Sequence, residues 1–176
     1  MRKQNIRKEK LFKYSDLKYK MHKLRIYIDT SVIGGCFDKE FAVWSNMLFD
    51  EFIAGKKIAV ISDLTYDELS RASDNIQLKI NEIPLSFREF LYRNDETESL
   101  AREYVKNKVI SEKYFDDATH IAIATTYNVD VLVSWNFKHI VNLNRILKYN
   151  SVNMLFGYKP LEIRNPKEVL ENEEEF

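Results

Sequence analysis

Arg25-Ile26-Tyr27-Ile28-Asp29-Thr30-Ser31 reads as a short apolar strand that stops abruptly on a carboxylate followed by two hydroxyl residues. In an open α/β sheet the chemistry collects outside the carboxyl ends of the strands, so an acid in that position is where a metal or a reacting group would be met. Asp29 is therefore the first candidate. The same Asp-Thr-Ser run is also a good helix N-cap and turn sequence, and taken alone the two readings stand side by side.

Around this stretch, short apolar runs alternate with helical patterns, the signature of an α/β domain. Leu24 to Ile28 and Ile58 to Ser62 read as strands, with an amphipathic helix from Phe41 to Ala54 between them, presenting Trp44, Leu48 and Phe52 on one face. Helices are expected from Thr65 to Ala72, Asn75 to Ile83, Glu96 to Lys106, Tyr114 to Tyr127 and Val141 to Lys148. Val129 to Ser134 is a compact strand, Pro160 to Ile163 a short edge strand, and Leu85 to Arg93 fits either a helix or a strand.

The chain has 176 residues, 45% hydrophobic and 13% aromatic, which suits one sizeable core and therefore one domain. No repeat or linker interrupts residues 24–165, which are expected to form that domain. Residues 1–23 make a basic extension, and residues 166–176 an acidic tail ending in Glu171-Asn172-Glu173-Glu174-Glu175. Both ends read as solvated segments, the basic one with an RNA-gripping arm as the alternative. Met21 is an alternative start to Met1. With 27 basic and 27 acidic residues, no global field draws the protein onto nucleic acid or membranes, so polyanion binding must come from a local patch. The single cysteine, Cys36, excludes an internal disulfide and a thiolate zinc cluster. No apolar run approaches the roughly 20 residues that span a bilayer, and no signal peptide is evident, so the expected location is the cytoplasm.

Acids recur at comparable topological places. Asp29 ends the first strand, Glu68 lies just after the second, Asp117 opens the Asp-Ala-Thr-His-Ile-Ala helix, and Asn136 follows the Val131-Leu132-Val133-Ser134 strand. In a parallel sheet such positions converge on one edge. Three crowded carboxylates raise one another's pKa unless a cation compensates, and oxygen ligands of this kind suit Mg²⁺ or Mn²⁺.

Three segments, in this order, resemble the PIN domain nucleases and in particular the VapC-type toxins of type II toxin-antitoxin systems. They are Ile26-Tyr27-Ile28-Asp29-Thr30-Ser31-Val32, then Thr65-Tyr66-Asp67-Glu68-Leu69, then Asp117-Ala118-Thr119-His120-Ile121-Ala122 leading to Leu132-Val133-Ser134-Trp135-Asn136-Phe137-Lys138-His139. The resemblance implies an α/β fold with a Rossmann-like central parallel sheet flanked by helices, and metal-dependent hydrolysis of RNA phosphodiesters. It implies Asp29, Glu68 and Asp117 as ligands of Mg²⁺ or Mn²⁺ and Asn136 as a fourth catalytic position. It also implies a single-stranded or structured RNA substrate, a small antitoxin partner and a homodimer. The alternative is a catalytically weak PIN-like binding or assembly module.

The chain departs from the family at Asn136, where the usual residue is Asp. An amide still offers a carbonyl oxygen but brings no charge, which predicts a weaker second-metal site. Thr30 or Ser31 would hold a metal-bound water, and Ser134 would orient the loop bearing Asn136. Asp116 and Asp67 are read as neighbours that point away, since successive helical residues are about 100° apart. His120 is expected to be a packed, hydrogen-bonded histidine. Lys138 and His139 are either RNA-phosphate contacts or a solvated loop. Lys56 and Lys57 mark a turn, and Phe41, Trp44, Phe52, Tyr114 and Phe115 are assigned to core or a partner surface instead of base stacking.

Overall fold

The computed structural model describes residues 23–170. The expected basic extension falls, apart from Lys23, outside the described residues, as does the run from Glu171 onward.

In chain order the structure runs β1 (Arg25–Ile28), α1 (Thr30–Gly35), α2 (Ala42–Ile53), β2 (Ile58–Ser62), α3 (Asp63–Leu69), α4 (Asp74–Lys79), β3 (Arg88–Leu91), α5 (Asp95–Lys106), α6 (Phe115–Thr126), β4 (Val131–Val133), α7 (Leu143–Leu155) and β5 (Ile163–Arg164). The five strands pair in the order β3-β2-β1-β4-β5, all parallel. The chain builds outward from β1 to β3, then returns to place β4 on the other flank of β1. That reversal makes the carboxyl ends of β1 and β4 the topological switch point, where open α/β sheets form their crevice.

Alternation along the strands explains the layers. Ile26, Ile28, Ala59, Ile61, Val131 and Val133 point to one face, where Val32, Ile33, Leu48, Phe49 and Phe52 of α1 and α2 cover them. Tyr27, Val60 and Leu132 point to the other, under Leu100, Ala101, Tyr104, Ile121, Ala122 and Tyr149 of α5, α6 and α7. Each large aliphatic or aromatic side chain buried this way contributes about 1.5–3 kcal/mol, which is why strands covered on both faces read as continuous apolar runs. The helix α6 is buried along its length from Ala118 to Thr125, and its alanines let it lie close to the sheet and to α5.

Several elements differ from the pattern-based expectation for identifiable reasons. The segment after Asp29, for which the cap reading of Asp-Thr-Ser gave no helix bounds, forms the six-residue helix α1. The helix expected from Thr65 starts at Asp63, because Ser62 and Thr65 cap each other's backbone N–H groups. The ambiguous Leu85 to Arg93 stretch divides into a 3₁₀ turn, Leu85–Phe87, and the edge strand β3. The helix α7 starts two residues later than expected, at the Asn142 cap, and continues to Leu155. Lys57 is not a turn residue in solvent: it is buried and ion-paired with Glu51. The chain continues past β5 into a 3₁₀ turn, Pro166–Val169, that packs against α2.

Candidate functional site

Asp29 sits directly after β1, almost fully buried at 4% exposure. Its two oxygens have separate duties. The Oδ1 atom accepts from the backbone N–H of Ser31 at 3.1 Å and of Val32 at 3.3 Å, and from the Ser31 hydroxyl at 2.5 Å, so Asp29 is the N-cap of α1. The Oδ2 atom accepts from the Ser134 hydroxyl at 2.6 Å, across the seam between β1 and β4. Asp29 is thus the helix cap that its Asp-Thr-Ser setting allows, and the same side chain reaches Ser134 just past β4. Burial pushes its pKa up, opposed by the charge of His120 and by the hydroxyls of Ser134 and Ser31.

Ser134 also accepts from the backbone N–H of Asn136 at 2.9 Å, tying the loop after β4 to Asp29. Ser31 plays the matching part, accepting from the Trp135 N–H at 2.8 Å. The hydroxyls of Thr30 and Ser31, expected to hold a water, are committed to carboxylates: Thr30 donates to Glu68 Oε2 at 2.5 Å.

Glu68, on α3, is half-buried and carries a second partner. His120 Nε2 lies 3.2 Å from the same Oε2 atom, while His120 Nδ1 lies 2.7 Å from the Tyr27 hydroxyl, which is 2.7 Å from Ser62 Oγ. Burial lowers the imidazole pKa, but the field of Tyr27, the hydrogen bond and charge of Glu68, and the charge of Asp29 raise it well above the ordinary value. The balance of these influences favours the protonated imidazole. Glu68 in turn is raised by burial but lowered by more through the hydrogen bond and charge of His120, helped by Thr30 and Arg71.

Asp117, in the first turn of α6, accepts the Asn136 side-chain amide through Oδ1 at 2.9 Å. Its carboxyl is pushed up to about 6, by burial first and then by the charges of Asp29 and Glu68, against His120 and Asn136. Asp117 is joined to Asn136 and Asp29 to Ser134 of the same loop, while His120 of α6 reaches Glu68, so the three carboxylates and Asn136 share one neighbourhood at the switch point. Asp116 is exposed, and Asp67 is exposed and paired with Arg93, so both alternatives point away from it.

Asn136 shows a polarity that sequence could not supply. Its carbonyl oxygen accepts the His139 N–H at 3.0 Å, so it is the amide nitrogen that faces Asp117. His139, a candidate phosphate contact, is instead buried and stacked on Tyr114 at 3.8 Å, with neither ring nitrogen hydrogen-bonded among the described residues. Lys138 stands over the Tyr114 ring.

His120 is the site residue that sequence reasoning placed only in the core. The usable signal was its spacing: residues three apart on a helix share a face, so a histidine three after Asp117 had to look toward the same place.

The donor chemistry suits a hard divalent cation: oxygen atoms of Asp29, Glu68 and Asp117 with negative charge in excess of the one histidine. As they stand, however, no three acidic, histidine or cysteine side chains among the described residues form a ready-made metal-binding group. The reason is visible in Glu68, which is drawn toward His120 and Thr30.

No protein-family model matches the sequence, and no curated protein matches it. Solved structures do match. The structure of VapBC2 from Rickettsia felis, bound to a DNA fragment from their promoter, contains a chain that aligns with a TM-score of 0.50 at 18% identity, covering 81% of this chain and 98% of that one. VapC20 from Mycobacterium tuberculosis, a sarcin-ricin loop cleaving toxin, aligns with a TM-score of 0.48 at 14% identity, covering 65% of this chain and 92% of that one. The likeness to the VapBC2 chain is one of fold and runs over most of this chain, which, with its five-stranded parallel sheet of order 3-2-1-4-5 and flanking helices, is PIN-like.

Proposed function

We propose that this chain is a metal-dependent endoribonuclease and the toxin of a toxin-antitoxin pair. The observation that carries the reading is geometric: Asp29 is held by Ser134 and Asp117 by Asn136, two residues of the one loop after β4, at the switch point of the sheet. Burial and the charges of Asp29 and Glu68 push the Asp117 carboxyl up, as acids at functional sites commonly are.

Asp29, Asp117 and Glu68 would hold Mg²⁺ or Mn²⁺, which when bound supplies an activated water and offsets charge on the phosphate. The surrounding groups hold these acids in place. Ser31 and Ser134 orient Asp29, so that its carboxylate needs no rearrangement. Asn136 fixes Asp117 Oδ1 and leaves Oδ2 without a protein donor among the described residues. His120 balances part of the charge through Glu68 and keeps that carboxylate ionised. Burial of Asp29 and His120 keeps water away from the inner wall, where electrostatic interactions are strongest.

By analogy with VapBC2, the partner would be a small antitoxin. The proposed working form is a homodimer in the cytoplasm, with residues 24–165 as the domain. Among the described residues no helix is long and apolar enough to cross a membrane.

The direct test is degradation of single-stranded RNA by purified chain with Mn²⁺ or Mg²⁺. Loss of cleavage in chelator and in Asp29→Asn supports the nuclease; cleavage unchanged in Asp29→Asn removes it. Expression that slows growth, relieved by a small neighbouring gene, supports the toxin role.

A second reading, a catalytically weak binding or assembly module, is favoured by one specific pair of contacts. Glu68 already has a cation in His120, and Asp117 already has a donor in Asn136. Absence of metal-dependent cleavage would select it.

A further inference from the structure

Beside the acids lies an open cleft of about 300 Å³ whose walls are aromatic: Phe41 and Trp44 from the start of α2, and Trp135 and Phe137 from the loop after β4. Phe41 and Trp135 stack at 4.4 Å with 21° between planes, and Phe137 stands 6.0 Å from Trp135 at 56°. Lys167 lies 5.0 Å over the Trp44 ring and, with Glu40 and Asn165, completes the polar part of the lining.

The cleft is built, not incidental. The Trp135 indole N–H donates to Ser45 Oγ at 2.8 Å, which fixes the ring's orientation. Gly35 leaves the room for it: a Cβ there would meet Trp135 at 2.9 Å and Ser45 Oγ at 2.6 Å. Phe137 is 48% exposed, a large ring held in solvent beside two half-buried ones.

Its position is continuous with the acid cluster. Trp135 directly precedes Asn136, whose amide binds Asp117, and the Trp135 backbone N–H is held by the Ser31 hydroxyl that also binds Asp29. Further along the same loop, Lys138 lies 5.6 Å from the centre of the Tyr114 ring, which Lys113, in the turn before α6, approaches to the same distance. One loop therefore carries the rings of Trp135 and Phe137 on either side of Asn136, the partner of Asp117, and then Lys138. Stacked rings beside cationic side chains are what a single nucleic-acid strand requires, since every base has a π-face and every linkage a charge.

We propose that the Phe41–Trp44–Trp135–Phe137 cleft receives one nucleobase of a single-stranded RNA, adjacent to the phosphodiester presented to Asp29 and Asp117. The proposal rests on the nuclease reading of that site. It reassigns Phe41 and Trp44 from core or partner surface to base contact.

The chain contains two tryptophans, and both line this cleft, so intrinsic tryptophan fluorescence reads its occupancy. The experiment titrates the full chain in chelator, where no cleavage is expected, with single-stranded RNA hexamers and with an abasic hexamer of the same charge. Saturable quenching by the base-bearing strands and not by the abasic one supports the proposal. So does a loss of about tenfold in affinity for Phe137→Leu, restored in Phe137→Tyr. Equal quenching by the abasic strand, or none by any strand, overturns it, and quenching by a protein partner alone assigns the cleft to that partner. The two readings separate cleanly: a chain that cuts no RNA yet shows base-dependent quenching keeps the cleft and loses the nuclease. A chain that cuts RNA with KM unchanged in Phe137→Leu keeps the nuclease and loses the cleft.

Discussion

His120 Nε2 lies 3.2 Å from Glu68 Oε2, placing a buried imidazole, whose protonated form this contact favours, beside the carboxylates. The pair couples the core to the site, because the other ring nitrogen reaches Tyr27 and, through it, Ser62 at the end of β2. His120 lowers the Glu68 pKa, and the Glu68 Oε2 atom is shared between His120 and Thr30. An incoming divalent cation would compete with His120 for Glu68.

Replacement of His120 by Gln should therefore act in two directions. Loss of the buried charge-assisted network costs about 1–3 kcal/mol of stability in chelator. The extra melting-temperature gain on adding Mn²⁺ should be larger than in the parent chain, since the cluster is one charge more negative. Thermal melts with and without Mn²⁺ read both effects; an unchanged metal increment would show that His120 does not oppose metal binding.

Asp29→Asn retains an oxygen for the α1 cap and changes the charge. The fold should survive with a modest change in melting temperature, while metal-dependent RNA cleavage falls by about 100-fold or more. Asp29→Ala also removes the cap, at a further cost of about 1 kcal/mol. Circular dichroism melts beside cleavage assays distinguish the two losses.

Asn136→Asp replaces a donor facing Asp117 with a carboxylate. Repulsion should destabilise the chelated protein, and the added charge should tighten Mn²⁺ binding by about tenfold, following a gain of roughly 1.4 kcal/mol. Calorimetric titration checks the affinity, and weaker binding than in the parent would contradict the electrostatic account.

The pH dependence follows from Asp117, raised from 3.8 to about 6 chiefly by burial. The folded chain then binds more protons than the unfolded one between these values, so the Asp117 contribution favours folding below 3.8 and is lost as pH rises through about 6. In chelator, the stability advantage of Asp117→Asn over the parent should grow across that window and level off above it. Mn²⁺ binding to the parent should weaken below about pH 6, because protons compete for the same oxygen. A parent-minus-variant difference that is flat with pH would place the Asp117 pKa back in the ordinary range.

Much of the architecture was legible because burial on both faces of a parallel sheet demands unbroken apolar runs. Residues 25–28, 58–62 and 131–133 announce themselves that way. Residues 88–91 do not, since an edge strand with Arg88, Glu89 and a partly exposed Phe90 lacks that demand. Helix α1 was hidden by its length, six residues with two glycines, and forms through the Asp29 cap and the packing of Val32 and Ile33. The aromatic residues of the cleft were indistinguishable from core residues by composition.

By itself the sequence determined the strand ends beyond which Asp29 and Asn136 stand, the short helix after β2 that carries Glu68, and the helix start at Asp117, because local periodicity and capping act over a few residues. Only the tertiary structure decided that His120 would neutralise Glu68, that Asn136 would turn its nitrogen to Asp117, and that Trp44 and Trp135 would share a cleft. Those outcomes depend on which partners meet across the sheet. A hydrogen bond's direction is set by the group opposite it, here the His139 backbone N–H that claims the Asn136 oxygen.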